Sequence, residues 1–440
     1  MSKVYFCIDL KTFFASVECV ERNLDPFKTD LVVADNKRGR GTICLAISPK
    51  MKARGIRNRC RFYEIPVNVK PIIAKPRMKK YIEYSANIYE IYLKYFSKDD
   101  IHVYSIDEAF IDVTNYLKLY EKTPLELATM IIEEIYHETG ITATAGIGTN
   151  LYLTKIALDI TAKHVKSNIG YLDEEKYKEE LWHHKPLTDF WQVGKGIQKR
   201  LEKYGIYDMY DLAHFNEQKL YKEFGINAKI LIDHAWGIEP CTIKDIKAYK
   251  TKDNSISSGQ VLFEDYNYID ARKIVIEMVD SLTLELVRKG KLASSIYLYI
   301  GYANDSEPLK ISKHLIDETS SFSIILKTFL DEYDKHINKE LDIRRINIGF
   351  GSLTNKTHVQ LDLFGESIIR EEDEQIEGVI NSIKDKFGKN SLLRAISYDK
   401  RATQRERNKL IGGFYNGKDC TDGRKKCFRR ICSGICTFKR

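Results

Sequence analysis

The chain has 440 residues, 43% hydrophobic and 30% charged, enough for about three domains with real cores. That composition excludes a wholly disordered, collagen-like or disulfide-scaffold protein. The net charge of +8 is uneven: the last 23 residues hold eight Lys/Arg against two Asp, leaving the body at only +2, so total charge is no argument for a polyanionic partner.

The longest apolar run, residues 274–287, is broken by Glu277, Asp280 and Glu285, and the N-terminal run meets Asp9 before it could form a leader. A soluble, cytoplasmic chain is expected, with no membrane contact. Five cysteines are scattered (Cys7, Cys19, Cys44, Cys60, Cys241) and four crowd the last 21 residues. The scattered ones fit reduced core positions.

In chain order, residues 4–9 predict a strand and 13–22 a helix with Phe14, Val17 and Cys19/Val20 at helical spacing. Short strands follow at 31–34 and 43–47, around a basic, glycine-containing turn. Residues 81–96 predict a helix with Ile82, Ala86, Tyr89, Leu93 and Phe96 on one face. Residues 102–114 predict a hairpin turning at Asp107-Glu108; a helix over 125–139 ends at Gly140. A strand at 141–147 and a helix at 151–163 complete an α+β sheet expected to carry helices on one face, with an insertion at about 25–75.

An all-helical segment over 171–240 leads to a polar stretch, 244–258, that resembles a linker. Beyond it lies a second α/β unit. One helix is marked by Val275, Val279, Leu282 and Leu286, another by Phe322, Ile325, Phe329 and Tyr333, with strands at 295–302 and 345–350. A last helix carries Ile376, Val379, Ile380, Ile383 and Phe387 and is closed by Gly388.

The sharpest chemical feature is Ser105-Ile106-Asp107-Glu108-Ala109-Phe110, two adjacent carboxylates between apolar strands. Unpaired charge is costly to bury, so the pair must face solvent or a cation. Together with Asp9 at the end of the first strand, it could hold hard divalent ions. Two Mg²⁺ ions on three carboxylates suit in-line phosphoryl transfer. An ordinary acidic turn is the plainer reading of the pair taken alone.

Three ordered segments change that balance: residues 5–18 (YFCIDLKTFFASVE), 104–112 (YSIDEAFID) and 146–150 (GIGTN) continuing to Lys155-Ile156-Ala157. Together they resemble the Y-family, or translesion, DNA polymerases, across about residues 3–355 and most closely the Gram-positive UmuC-like group. The resemblance implies a multidomain right hand. Its parts would be a ferredoxin-like palm (1–25 and 76–170), small fingers (26–75), a helical thumb (171–243) and an α/β little finger (244–355). A C-terminal extension (356–417) and a basic Cys-rich tail (418–440), expected to be disordered, would follow.

It also implies that Asp9, Asp107 and Glu108 are the metal ligands and that Phe14 is a steric gate under the sugar of an incoming deoxynucleoside triphosphate. In the fingers, Pro49 and Lys52 stand where related proteins use Tyr and Arg; lysine can meet a phosphate as a point charge but lacks the bidentate fork. Lys163 resembles the palm lysine on the triphosphate, one residue further from Lys155 than in the DinB-like pattern.

Val193-Gly194-Lys195-Gly196-Ile197, then Leu201, Tyr204 and Gly205, resembles a helix-hairpin-helix whose Gly194 and Gly196 let backbone approach a DNA phosphate. Arg345 is a further candidate for the DNA backbone. Gln360-Leu361-Asp362-Leu363-Phe364 resembles a sliding-clamp peptide, with Leu361, Leu363 and Phe364 as apolar anchors and Gln360 as polar register. The tail cysteines are separated by six, four and three residues, unlike Cys-x-x-Cys zinc sites.

The expected function is template-dependent, low-fidelity synthesis past DNA damage by a monomer acting on primed template DNA, with the clamp and SOS accessory factors as partners. A metal-dependent phosphodiesterase or cyclase, and a DNA- and clamp-binding factor with a weak palm, are the alternatives.

Overall fold

A computed structural model describes residues 3–35, 39–250, 254–304, 306–356, 366–411 and 414–415. The clamp-like segment (Gln360, Leu361, Leu363, Phe364) and the Cys-rich tail lie outside the described residues. Two compact units are formed, one running up to Tyr249 and the other from Lys250 to Gly413. No helix among the described residues is long and apolar enough to cross a membrane.

The first unit begins with β1 (Tyr5–Leu10) and α1 (Phe13–Val20). A three-stranded insertion follows: β2 (Leu31–Val33), β3 (Ala46–Ile47), α2 (Pro49–Ala53) and β4 (Ile72–Ala74). Its strand order is β3-β2-β4, and Val32, Cys44, Ile47, Met51 and Cys60 form a small core of its own. The strand expected over 43–47 pairs only at Ala46–Ile47; Ile43 makes an isolated bridge to Arg61.

The chain returns through α3 (Met78–Tyr95), β5 (Ile101–Val103), β6 (Glu108–Asp112), α4 (Tyr116–Leu119), α5 (Pro124–Thr139), β7 (Ala143–Gly148), α6 (Leu151–Ile156) and β8 (Ile169–Leu172). The main sheet has the order β5-β6-β1-β7-β8, antiparallel except for β7 with β8. α5 starts with a Thr123–Glu126 capping box and Pro124 in its first turn, and ends at left-handed Gly140.

On α3 the buried face is Tyr81, Ile82, Ser85, Ile88 and Tyr92, whereas Leu93 is exposed. The expected face was rotated, because α3 is rich in large apolar residues on several sides and the winning stripe is the one at 81, 85, 88 and 92.

Helices were expected on one face of the sheet. α3 meets it beside Leu10, Val103 and Ala109, but α6 and the turns after it cover the opposite face, against Tyr5, Cys7 and Phe110. Glycine makes this possible. A methyl group at Gly146 or Gly148 would overlap the α6 backbone at Thr154, so α6 rests directly on β7.

The helix expected over 151–163 is α-helical only to Ile156; a π turn over Ala157–Thr161 and a 3₁₀ turn over Ala162–His164 continue it.

A helical subregion follows: α7 (Glu174–Leu181), α8 (Lys195–Glu202), α9 (Met209–His214), α10 (Glu217–Phe224), α11 (Asn227–Ala235) and α12 (Ile243–Ala248). Its core of Tyr177, Phe190, Leu201, Leu212 and Leu231 is continuous with Tyr152, Leu153 and Ile156 of α6.

The linker is shorter than 244–258. Ile243 is buried under a Thr242–Asp245 capping box, and residues from Ser255 already pair in a strand. Polar composition hid both, since a capping box and a half-exposed strand are built from the same residues as a loop.

The second unit is an antiparallel sheet, β11-β10-β12-β9, backed by helices. In chain order it runs β9 (Ser255–Tyr266), α13 (Tyr268–Arg288), β10 (Lys291–Tyr302), β11 (Leu309–Thr319), α14 (Phe322–His336), β12 (Ile343–Gly351), β13 (Thr354–Asn355), α15 (Glu366–Phe387) and α16 (Gln404–Arg407). Val275, Val279, Leu282, Leu286, Phe329 and Tyr333 pack on Ile296, Leu298, Ile346 and Ile348.

α15 is inverted relative to its apolar pattern. Ile376, Val379 and Phe387 are more than half exposed, while Glu377 and Asn381 are buried. The polar stripe is drawn inward by partners: Arg394 pairs with Glu377 and Asp280, and the Asn381 amide donates to Leu284 O at 3.0 Å. The segment after α15, whose role the sequence leaves open, thus folds back on α13. The Thr403 N–H donates to buried Glu277 at 2.8 Å.

Candidate active site

Alternation along β1 turns Tyr5, Cys7 and Asp9 to the α6 face. The register sets Asp9 directly opposite Glu108 of β6, and the Leu10 N–H donates to the Asp107 carbonyl at 2.9 Å. The three carboxylates predicted as ligands therefore gather at one end of two paired strands. Glu108 is not at a hairpin tip. The turn closes earlier, where the Tyr104 and Ser105 N–H groups both donate to Glu108 O (2.9 and 3.0 Å), and Glu108 opens the strand.

Each carboxylate has neighbours. Asp107 accepts from the Ser105 hydroxyl at 2.6 Å. Glu108 Oε1 accepts from the buried Cys7 thiol at 3.0 Å and pairs with Lys155 Nζ at 2.7 Å. Asp9 Oδ2 lies 3.8 Å from Lys163 Nζ. Burial pushes the Asp9 carboxyl up to about 7; Lys163 opposes the rise, and the charges of Asp107 and Glu108 add to it. Burial works against charge on Lys155, but Cys7, Glu108 and Asp159 raise its pKa well above the ordinary lysine value.

Mutual repulsion in an all-oxygen donor set fits a hard divalent cation. Among the described residues, however, no three carboxylate, imidazole or thiol side chains are already gathered in metal-holding geometry. In this arrangement Lys155 and Lys163 offset the negative charge.

Phe13 is buried and Phe14 half-buried. Phe14 stacks on Tyr81, and the Tyr81 hydroxyl donates to Glu18 Oε1 at 2.8 Å. Lys52 is exposed, and its charge, after burial, lowers the pKa of Lys11, whose ammonium bonds Asn168. Lys11 and Lys163 thus place positive charge beside Asp9, and Lys52 adds to it through Lys11.

Gly194 is the N-cap of α8, and a side chain added at Gly194 or Gly196 would meet nothing within 4 Å, so this backbone is open to close approach. Arg345 lies on β12, exposed and 5.8 Å over the Tyr299 ring, whereas Arg344 is paired with Asp265 at 2.8 Å.

Sequence reasoning missed Cys7, Lys11, Glu18, Tyr81 and Asp159. The four-residue steps from Lys155 to Asp159 to Lys163 were the one signal that could have drawn attention to Asp159.

Residues 8–159 match the model of the impB/mucB/samB family, and residues 253–363 match that of its C-terminal domain. The "Putative UV-damage repair protein UvrX" of Bacillus subtilis (strain 168) is 30% identical over 93% of this chain and 97% of its own. "DNA polymerase IV 2" of the same organism is 30% identical over 94% of this chain and 99% of its own. A solved Y-family DNA polymerase chimera of Dbh and Dpo4 shares the fold, with a TM-score of 0.61, 21% identity, and coverage of 80% of this chain and 99% of that one. The chain belongs to the impB/mucB/samB family of Y-family DNA polymerases.

Proposed function

We propose that the chain extends primed template DNA across damage by metal-dependent nucleotidyl transfer at the Asp9–Asp107–Glu108 edge. The observation that carries this reading is the register pairing of Asp9 with Glu108, with Asp107 adjoining and Lys163 alongside. Relatives named as DNA polymerase IV over nearly their whole length support it.

Asp9, Asp107 and Glu108 would hold Mg²⁺, two ions in all, which supply positive charge for activating the primer 3′-hydroxyl and for the leaving pyrophosphate. Lys163 and Lys52 meet the triphosphate as point charges. Phe14 lies under the sugar and excludes a 2′-hydroxyl. The Gly194 and Gly196 backbone and Arg345 hold DNA by its phosphates and carry no sequence preference. Gln360, Leu361, Leu363 and Phe364 dock on a sliding clamp.

Primer extension with Mg²⁺, comparing the wild type with Asp107→Ala/Glu108→Ala, tests the reading. Synthesis by the wild type alone supports it; equal synthesis by both removes the site, and none by either, with the clamp added, favours a binding factor.

A further inference from the structure

On the α6 face, charge alternates in a ladder that joins two of the three carboxylates. Glu108 Oε1 meets Lys155 Nζ at 2.7 Å, Lys155 meets Asp159 Oδ2 at 3.0 Å, and Asp159 Oδ1 meets Lys163 Nζ at 2.7 Å. Lys163 ends the ladder 3.8 Å from Asp9 Oδ2. Three rungs lie four residues apart on one continuous coil, and the π turn over Ala157–Thr161 sits between the outer two. In an α-helix each four-residue step overshoots one turn, so the third rung would drift away from the first. A π turn takes up an extra residue, cancels that drift and keeps Lys163 over the site. The additional residue between Lys155 and Lys163 is absorbed there.

Lys163 therefore has two carboxylates within reach and is bonded to the one outside the ligand set. Asp9 is the more buried environment and already carries the repulsion of Asp107 and Glu108. An ammonium released from Asp159 would find Asp9 its nearest counter-charge.

We propose that Asp159 is a positioning residue that holds the Lys163 ammonium off Asp9, leaving Asp9 open to a divalent cation while Lys163 stays beside the site for a triphosphate. The proposal rests on the reading of Asp9 as a ligand and Lys163 as a triphosphate contact. It assigns Asp159 no contact with substrate.

The test uses Mn²⁺ alone as the probe, titrated into the full chain and followed by the electron paramagnetic resonance of the free ion. Asp159→Asn should weaken Mn²⁺ binding by about tenfold, equivalent to about 1.4 kcal/mol. Asp159→Glu, which keeps the charge, should recover most of the loss. The double variant Asp159→Asn/Lys163→Met should return to wild-type Mn²⁺ affinity, because the competing ammonium is gone, while its affinity for deoxynucleoside triphosphate stays low. A purely structural role for Asp159 would not be rescued by removing Lys163. Wild-type Mn²⁺ affinity in Asp159→Asn, or a double variant as weak as the single one, overturns the proposal. Asp9→Asn with unchanged Mn²⁺ affinity would instead overturn the ligand reading beneath it.

Discussion

Phe14 lies against Tyr81 with ring centroids 4.6 Å apart and planes 30° apart, so the ring expected under the sugar is backed by a second, fully buried ring. Tyr81 is fixed in turn by its hydroxyl bond to Glu18 at 2.8 Å. The proposed gate would thus be a supported surface, stiffened by residues behind it.

Replacing Phe14 by Ala should let ribonucleotides in, lowering the deoxy-over-ribo preference on the order of 10²-fold. Tyr81→Ala should lower it less, by letting the Phe14 ring recede, and Tyr81→Phe should change it little. Single-nucleotide insertion with dNTP and rNTP pairs measures all three. Unchanged preference in Phe14→Ala would remove Phe14 as the gate.

Glu18 is fully buried, held by Arg77 at 2.9 and 3.0 Å and by Arg22. Removing Glu18 strands Arg22 and Arg77, which are each about a third exposed, and leaves the buried Tyr81 hydroxyl unpaired, so Glu18→Ala should cost about 1–3 kcal/mol in chemical denaturation. Glu18→Gln, which can still accept from Tyr81, should cost less. Equal small losses for both would mean the arginines are solvated without it.

Neither the Tyr81 backing nor the Glu18 ion pair was legible in the sequence, whereas the local pattern around them was. The strand ending at Asp9 and the helix holding Phe13 and Phe14 follow from local pattern, because an apolar run with a terminal carboxylate and a 3.6-residue stripe are written in neighbouring residues. Register is not. Glu108 stands opposite Asp9 because the turn closes over 104–107, a choice made by hydrogen bonds to Glu108 O. The Lys155–Glu108 and Lys163–Asp9 contacts depend on α6 lying on Gly146 and Gly148, a tertiary fact. α15 misleads most: its polar stripe faces inward because Arg394, seventeen residues on from Glu377, comes back to neutralise it.

That buried stripe makes stability depend on pH. Burial pushes Glu377 up to about 7, with Arg394 opposing and Asp280 reinforcing the rise. An unfolded glutamate titrates near 4.3. Between about pH 4.3 and 7 the unfolded chain is ionised there and the folded chain protonated, so the folded state binds more protons and loses stability as pH rises. The contribution is fully present below about pH 4.3 and gone above about pH 7, on the order of 4 kcal/mol in all. Glu377→Gln should flatten the wild-type decline across that window in denaturation at pH 5 and pH 8. Parallel declines in the two proteins would show that Glu377 ionises normally.

Gly146 controls the site from beneath. A methyl group there would overlap the Thr154 carbonyl oxygen and the Leu158 N–H, both backbone atoms that cannot rotate away. Gly146→Ala must therefore lift α6 from β7, at a cost of about 1–3 kcal/mol for forced overpacking. The same displacement carries Lys155 away from Glu108 and Lys163 away from Asp9, contacts now at 2.7 and 3.8 Å. Extension should fall by more than the lost stability explains, on the order of 10²-fold at a temperature where the variant is fully folded, since a shift of about 1 Å near reacting groups has that effect. Folded Gly146→Ala with wild-type extension would mean that the lysines reach the carboxylates independently of how α6 is seated.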